Sequence, residues 1–533
     1  MSESSTPQAQ FSRWRTALWP VHRYELKKLL PMLLIFFLIS FDYNVLRIMK
    51  DTLVVTAKSS GAEVIPFIKV WVMFPGAILL TYLFTRLSNR YTREKVFYCM
   101  LTIFLGYFFL FTTVLYPARD LLHPHALADE MEAILPAGFK GLVAMFRNWT
   151  FTTFYVMAEL WSNIILSLLF WGFANQVTQL GEAKRFYGLF GIGANISGVA
   201  AGQTSVWFSS KQFNPSLPFG NDGWEQSMVF LVAFVILAGL AAMVIFRWFN
   251  ETILTDSRFS EAPVHKKEGD VRGKLSMRES FNYLIRSRYM ICIAMLVIAY
   301  NLVINLVEVV WKHEMRTLYP NPSEFNLYMS HVTTIIGIFA TLMALFISGN
   351  SIRKFGWTFT AMLTPVILFV TSIGFFGFFF IQGEMSSVIV QLFGLTPLAI
   401  VVFFGSAQNI LCRAAKYSVF DATKEMAFVP LSREDQLKGK PAVDGVCSRL
   451  GKSGGSVIHQ VLLLSFSSFA ASAPYVAGFL FVVIGGWIVA VRRLGKQFNE
   501  LATSPIANLS PQEIATQSAA APFMNDKGSP VAL

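Results

Sequence analysis

Apolar runs of about 20 residues, long enough to cross a bilayer as helices, recur along the whole chain. Twelve are read, at roughly 29–49, 65–85, 96–116, 149–174, 186–208, 226–248, 287–311, 328–349, 357–381, 386–412, 444–469 and 472–492. A polar stretch at 250–286, with Lys266, Lys267, Arg272, Lys274 and Arg278, falls between the sixth and the seventh. It predicts a linker between one half at 29–249 and another at 287–495. Residues 1–28 form a polar, basic N-terminal segment without the pattern of a cleavable signal. Residues 496–533 lack apolar periodicity and read as a disordered tail. Polar residues inside the apolar runs are few, so each one is informative. In the fourth run Glu159 is followed by Asn163 and Ser167, which an ideal helix places on one stripe. A carboxylate at bilayer depth costs roughly 2–4 kcal/mol, so that stripe must face a bundle interior. A charged turn, Glu182, Lys184 and Arg185, and a glycine-rich apolar helix follow it. Stripe, turn and small-residue helix together read as the lining of a path.

Composition agrees with this pattern. Apolar residues make up 54% of 533 and charged residues 14%, which fits a polytopic membrane protein and not a soluble one. With the N-terminus inside, the cytoplasmic termini and loops collect about 34 of the 44 Lys and Arg, so both ends are expected in the cytoplasm. The net charge of +12 is then chiefly a topological bias, and no nucleic-acid partner is implied. Cys99, Cys292, Cys412 and Cys447 stand singly, without disulfide or metal-ligand spacing. No HExxH motif occurs, and GKSGG at 451–455, a GxSxG match by letter, opens an apolar helix with no strand before it. Gly451-Lys452 fails as a phosphate-binding loop because Gly445 stands one position too early. The expectation is a non-enzyme that needs no cofactor and no metal.

Four constellations remain. Tyr43, Arg47 and Lys50 share a face near the end of the first helix, where Asp51 offers a local partner. Asn301, Asn305, Glu308 and Lys312 share one on the seventh, where a plain Glu308–Lys312 helix pair is the competing reading. On the tenth and the loop after it, Asn409, Arg413, Lys416 and Phe420 recur beside Tyr417, a pattern that suits phosphate and a stacked base. Lys452 stands among small residues on the eleventh. Tyr155, Phe170 and Trp171 are candidates to stack a base. The polar pattern of helix 1 recurs in helix 7, and basic loops at 85–95 and 350–357 follow helices 2 and 8. Helices 5 and 11 are both glycine-rich. The fold expected is all-α, twelve helices in two six-helix halves, resembling the major facilitator architecture.

FWGFANQ at 170–176, EAKRFYGLFGIGAN at 182–195, KYSVFDATKEMAFVPL at 416–431, KGKPAVD at 438–444 and LGKSGG at 450–455 are more specific. They resemble the ATP/ADP translocases of obligate intracellular bacteria and plastids, chlamydial members above all, which are unrelated to the mitochondrial carriers. The resemblance implies exchange of host ATP for ADP by alternating access, with essential charges at Lys50, Glu159, Glu308 and Lys452. Arg47, Asn163, Lys184, Arg185, Asn305 and Lys416 join them as site candidates. Glu159 and Glu308 are expected to pair with Lys50 and Lys452 when the site is empty. The resemblance further implies a monomer in a bacterial inner membrane, with phosphate co-transport open. Proton-coupled net import of nucleotide or NAD is the alternative, and a non-transporting scaffold is a distant third.

Overall fold

The computed structural model describes residues 21–178, 180–255, 284–384, 391–392, 394–431, 435, 439–440 and 442–503. Its long helices are α1 (Leu26–Val55), α2 (Val64–Arg90), α3 (Arg93–Leu115), α4 (Trp149–Val177), α5 (Leu180–Ser209) and α6 (Gly223–Ile253). They continue as α7 (Arg288–Leu318), α8 (Pro322–Ile347), α9 (Lys354–Ile381), α10 (Pro397–Phe428), α11 (Ser448–Phe466) and α12 (Phe469–Thr503). Ten of these are long and apolar enough to cross a membrane. The two outside that set are α5 and α11, whose glycines and polar side chains lower their hydropathy. The chain is a multi-pass membrane protein with an all-α fold.

Local chemistry sets several helix starts. Asn321 accepts from the Ser323 amide (2.8 Å) with Pro322 as the first helical residue of α8. Thr396 caps α10 through the Ala399 amide (3.2 Å) in the same way, just before Pro397. This cap corrects the tenth predicted segment: the helix begins at 397, not 386, and runs on through the supposed loop to Phe428. The Glu182–Arg185 turn also proves to be helical, the first turn of α5. There Lys28 pairs with Glu182 (2.7 Å) and Arg185 with Glu25, which fastens α5 to the start of α1. The loop at 117–148 folds into the short helices Arg119–Leu122, His125–Ile134 and Lys140–Arg147. Residues 496–503, read as disordered tail, extend α12. Residues 1–20, most of the linker (256–283) and residues 504–533 lie outside the described residues.

Burial separates central from peripheral helices. The apolar window of α7 is 78% buried and that of α1 61%, against 28% for α2. α1 packs on α4, α5 and α6, and α7 packs on α10, α11 and α12, so each half is built around its first helix. A tryptophan fixes the corresponding pair in each half. Trp161 of α4 donates to the Ile39 carbonyl of α1 (2.9 Å), and Trp311 of α7 donates to the Val402 carbonyl of α10 (3.2 Å). The halves meet where α5 packs on α8 and where α2 packs on α11.

The α5–α8 seam is tight because glycine lets backbones approach. A Cβ on Gly337 would stand 2.6 Å from the Asn195 carbonyl oxygen, and one on Gly202 would collide with the Thr334 hydroxyl. A side chain there must push two helices apart. We expect Gly337→Leu to cost about 1–3 kcal/mol, read as a lowered Tm of the detergent-solubilised protein. Gly377→Leu, on a face of α9 with nothing within 4 Å, should leave Tm unchanged.

Candidate functional site

A polar seam closes one end of the space between the halves, the end where α1 finishes. Thr52 of α1 donates to Asn326 of α8 (3.1 Å), which donates to Ser209 of α5 (2.7 Å). Arg316 donates to the Val55 carbonyl (3.1 Å), and Gln460 of α11 to the Pro66 carbonyl (2.8 Å). Trp71 of α2 donates to Gln460 (3.3 Å). At the opposite end lies a cavity of about 1450 Å³, lined by Trp171, Arg185, Tyr187 and Asn195 of one half and Tyr300, Lys416, Asp444 and Lys452 of the other.

Between the cavity and the seam sits a narrower chamber of about 180 Å³. Tyr300, Asn301, Lys416, Tyr417 and Lys452 line both spaces and so mark the chamber mouth. Arg47, Lys50, Lys69, Arg413, Lys416 and Lys452 face Glu159 and Glu308 across it, six cations against two carboxylates. That excess of four positive charges lies at bilayer depth, where charge without a partner is costly.

An ion chain runs along the closed side of the chamber. Glu159 of α4 lies 3.4 Å from Lys50, which lies 2.9 Å from Asp51. Asp51 crosses to Lys312 of α7 (2.8 Å), Lys312 meets Glu308 (2.8 Å), and Glu308 meets Arg413 of α10 (3.0 Å). Lys50 also stands 3.9 Å from the centroid of the Tyr155 ring. Asp51 is therefore more than a local partner: it joins the halves by an ion pair, beside the hydrogen bonds of the seam. The expected Glu159–Lys50 pair forms, but Glu308 pairs with Lys312 and Arg413 in place of Lys452. Lys452 reaches its position because Gly451 and Gly455 pack against Ile298 and Asn305 of α7, and its carbonyl accepts from Asn305 (2.6 Å).

Of the site residues expected from sequence, Arg47, Lys50, Glu159, Asn305, Glu308, Lys416 and Lys452 line the chamber, whereas Trp171 and Arg185 line the wide cavity. Asn163 lines neither. Residues 162–170 wind as a π-helix, which rotates the stripe after Glu159 and leaves only Ser167 on the wide cavity. Phe170 is buried, stacked on Phe36 at 4.3 Å, and does not face the path. Phe420, by contrast, is largely buried and stacked on Tyr300 at 4.9 Å, yet lines the wide cavity. The side chain of Lys184 lies outside the described residues. Sequence reading missed Lys69, a single lysine in the apolar IPFIKVWVMF, and Asp51 as a cross-half partner.

A profile of the TLC ATP/ADP transporter family matches residues 4–498. The chain is 46% identical to a Chlamydia pneumoniae protein named ADP,ATP carrier protein 1, over 97% of this chain and 99% of that one. It is 42% identical to the chloroplastic ADP,ATP carrier protein 2 of Arabidopsis thaliana, over 89% of this chain and 75% of that one. Among solved structures, a D-xylose–proton symporter superposes with a TM-score of 0.53 at 13% identity, covering 88% of this chain and 97% of the symporter. That likeness places the fold in the major-facilitator class.

The ion chain predicts unequal costs of breaking pairs. Glu308→Ala leaves Arg413 without its carboxylate and should cost about 3 kcal/mol. Glu251→Ala breaks an exposed pair with Arg247 and should cost less than about 1 kcal/mol. Denaturation of the two purified variants compares them directly.

Proposed function

The chain belongs to the TLC ATP/ADP transporter family, and we propose that it exchanges ATP for ADP across a bilayer by alternating access. One observation carries the reading: a chamber with four excess positive charges, shut at one end and open at the other, at the seam between two halves. ATP and ADP carry about four and three negative charges near neutral pH, which matches the sign and size of that excess. The chamber is smaller than the roughly 300–1,000 Å³ of sites that enclose a whole small ligand. The phosphates therefore enter it, and the nucleoside stays in the wide cavity among Trp171, Tyr187, Tyr300 and Tyr417.

In this scheme Lys50, Arg47, Arg413, Lys416 and Lys452 bind phosphate oxygens, with Asn305 holding Lys452 in place. Glu159 and Glu308 neutralise the cations of the empty chamber. Entering phosphate competes for Lys50, and its own negative charge attracts Lys312 and repels Asp51, which weakens the Asp51–Lys312 link and lets the closed end open. An empty carrier keeps that link and stays put, so transport requires cargo in both directions. Twelve spanning helices, both termini in the cytoplasm and a bacterial inner membrane complete the reading. The open end then faces the cytoplasm, and the carrier works as a monomer. Exchange of ATP for ADP moves one charge, worth about 2.3 kcal/mol per 100 mV. Phosphate moving with ADP would remove that cost.

The experiment is uptake of labelled ATP into proteoliposomes, with and without internal ADP, at zero potential and no proton gradient. Uptake is expected only with internal ADP; equal uptake into empty vesicles, or uptake that needs a proton gradient, contradicts exchange. Asp51→Asn should allow uptake into empty vesicles, because the link that holds the empty carrier is gone. A variant that stays strictly dependent on internal ADP would remove Asp51 from the scheme.

A further inference from the structure

Five of the six chamber cations lie on α1, α10 and α11, and the sixth, Lys69, lies on α2, a helix otherwise apolar through this stretch. The chain there winds as a π turn, Ile68–Val72, which re-aims side chains within an α-helix. Lys69 thereby reaches across the halves, its ammonium 3.4 Å from Asn305 Oδ1 on α7. Lys50, Arg413 and Lys416 each have a carboxylate partner, whereas among the described residues Arg47, Lys69 and Lys452 have no ion pair, and of these three Lys69 lies nearest in sequence to the closed seam. An ammonium at bilayer depth with only an amide oxygen beside it is incompletely neutralised. The missing counter-charge must come from something that enters.

Its depth tells which part of the cargo that is. Pro66 and Trp71, on either side of Lys69, are both bound by Gln460 in the closed seam. Lys416 and Lys452 stand at the chamber mouth, whereas Lys69, like Arg47, Lys50 and Arg413, lines the chamber and not the wide cavity. Cargo that enters phosphate-first meets Lys452 and Lys416 first and Lys69 last. ATP is longer than ADP by one phosphate at its leading end.

We propose that Lys69 binds the terminal phosphate of ATP and so acts as a specificity residue separating ATP from ADP. The proposal rests on the exchange reading above. ADP occupies the outer cations and falls short of Lys69. ATP supplies the counter-charge that Lys69 lacks and ties α2 to Asn305 of the other half through one phosphate. The fourth negative charge thus has its own cation, which is what a carrier of two cargoes of different charge needs.

The test compares Lys69→Gln and Lys69→Arg with the parent protein in ADP-loaded proteoliposomes, measuring KM for external ATP and for external ADP. Loss of one charged contact corresponds to about tenfold in affinity. Lys69→Gln is expected to raise KM for ATP by about that factor and to leave KM for ADP nearly unchanged. Lys69→Arg is expected to keep the parent preference. Parallel changes for both nucleotides, or no change, overturn the proposal. Intact ADP uptake shows that the variant folds. Should Lys69→Gln carry neither nucleotide, thermal-shift titration of the solubilised variant with ATP and ADP makes the same comparison, and equal loss of both shifts overturns it. If the parent protein itself carries neither, the exchange reading fails before Lys69 is at issue.

Discussion

A charge in the hydrocarbon region of a bilayer has no water to fall back on, and this constraint governs the centre of the molecule. Each cation placed there needs a carboxylate, a hydrogen-bond acceptor or a passing anion. The chain satisfies part of the demand with its own acids, Glu159 and Glu308 in the chamber wall and Asp51 behind it, and the wall itself keeps six cations against two carboxylates. The rest of the fold follows from holding that excess at the seam. α1 and α7 are the most buried spans because they carry its core, and a tryptophan bond clamps each to its partner helix.

In the proposed exchange the same constraint joins the chamber to the closed end. Lys50 has two acids in reach, one in its own half's α4 and one that also holds Lys312 of the other half. An anion in the chamber competes with both. The binding event and the mechanical link therefore share one side chain, and no separate relay through the helices is required. The glycine-lined α5–α8 seam offers a close, smooth contact about which the halves can turn.

Much of this was legible in the sequence, for a physical reason: in an apolar run a charged residue stands out against its background. Lys50, Glu159, Glu308 and Lys452 were found that way, and long motifs, one of them around Lys452, carried the family. Asp51 was visible but looked like a local partner, because pairing across 261 positions (Asp51 to Lys312) leaves no periodic trace in one chain. Lys69 was overlooked because no second polar residue at helical spacing accompanies it. The π turns defeated the fixed 100° rule. They turned Asn163 off the path and brought Lys69 onto it, and an i→i+5 hydrogen-bond register has no simple residue signature. The aromatic candidates divided by burial, since Phe170 fills the core while Trp171 stays beside the cavity.

In the proposed mechanism, phosphate charge in the chamber releases the closed end. Spin labels at Lys58 and Thr317, exposed positions on opposite halves at that end, permit a direct measurement of the opening. A single short distance is expected in the empty protein, a longer population with ATP or ADP, and no change with adenosine, which has no phosphate. An unchanged distance with ATP, or equal opening with adenosine, would contradict that mechanism.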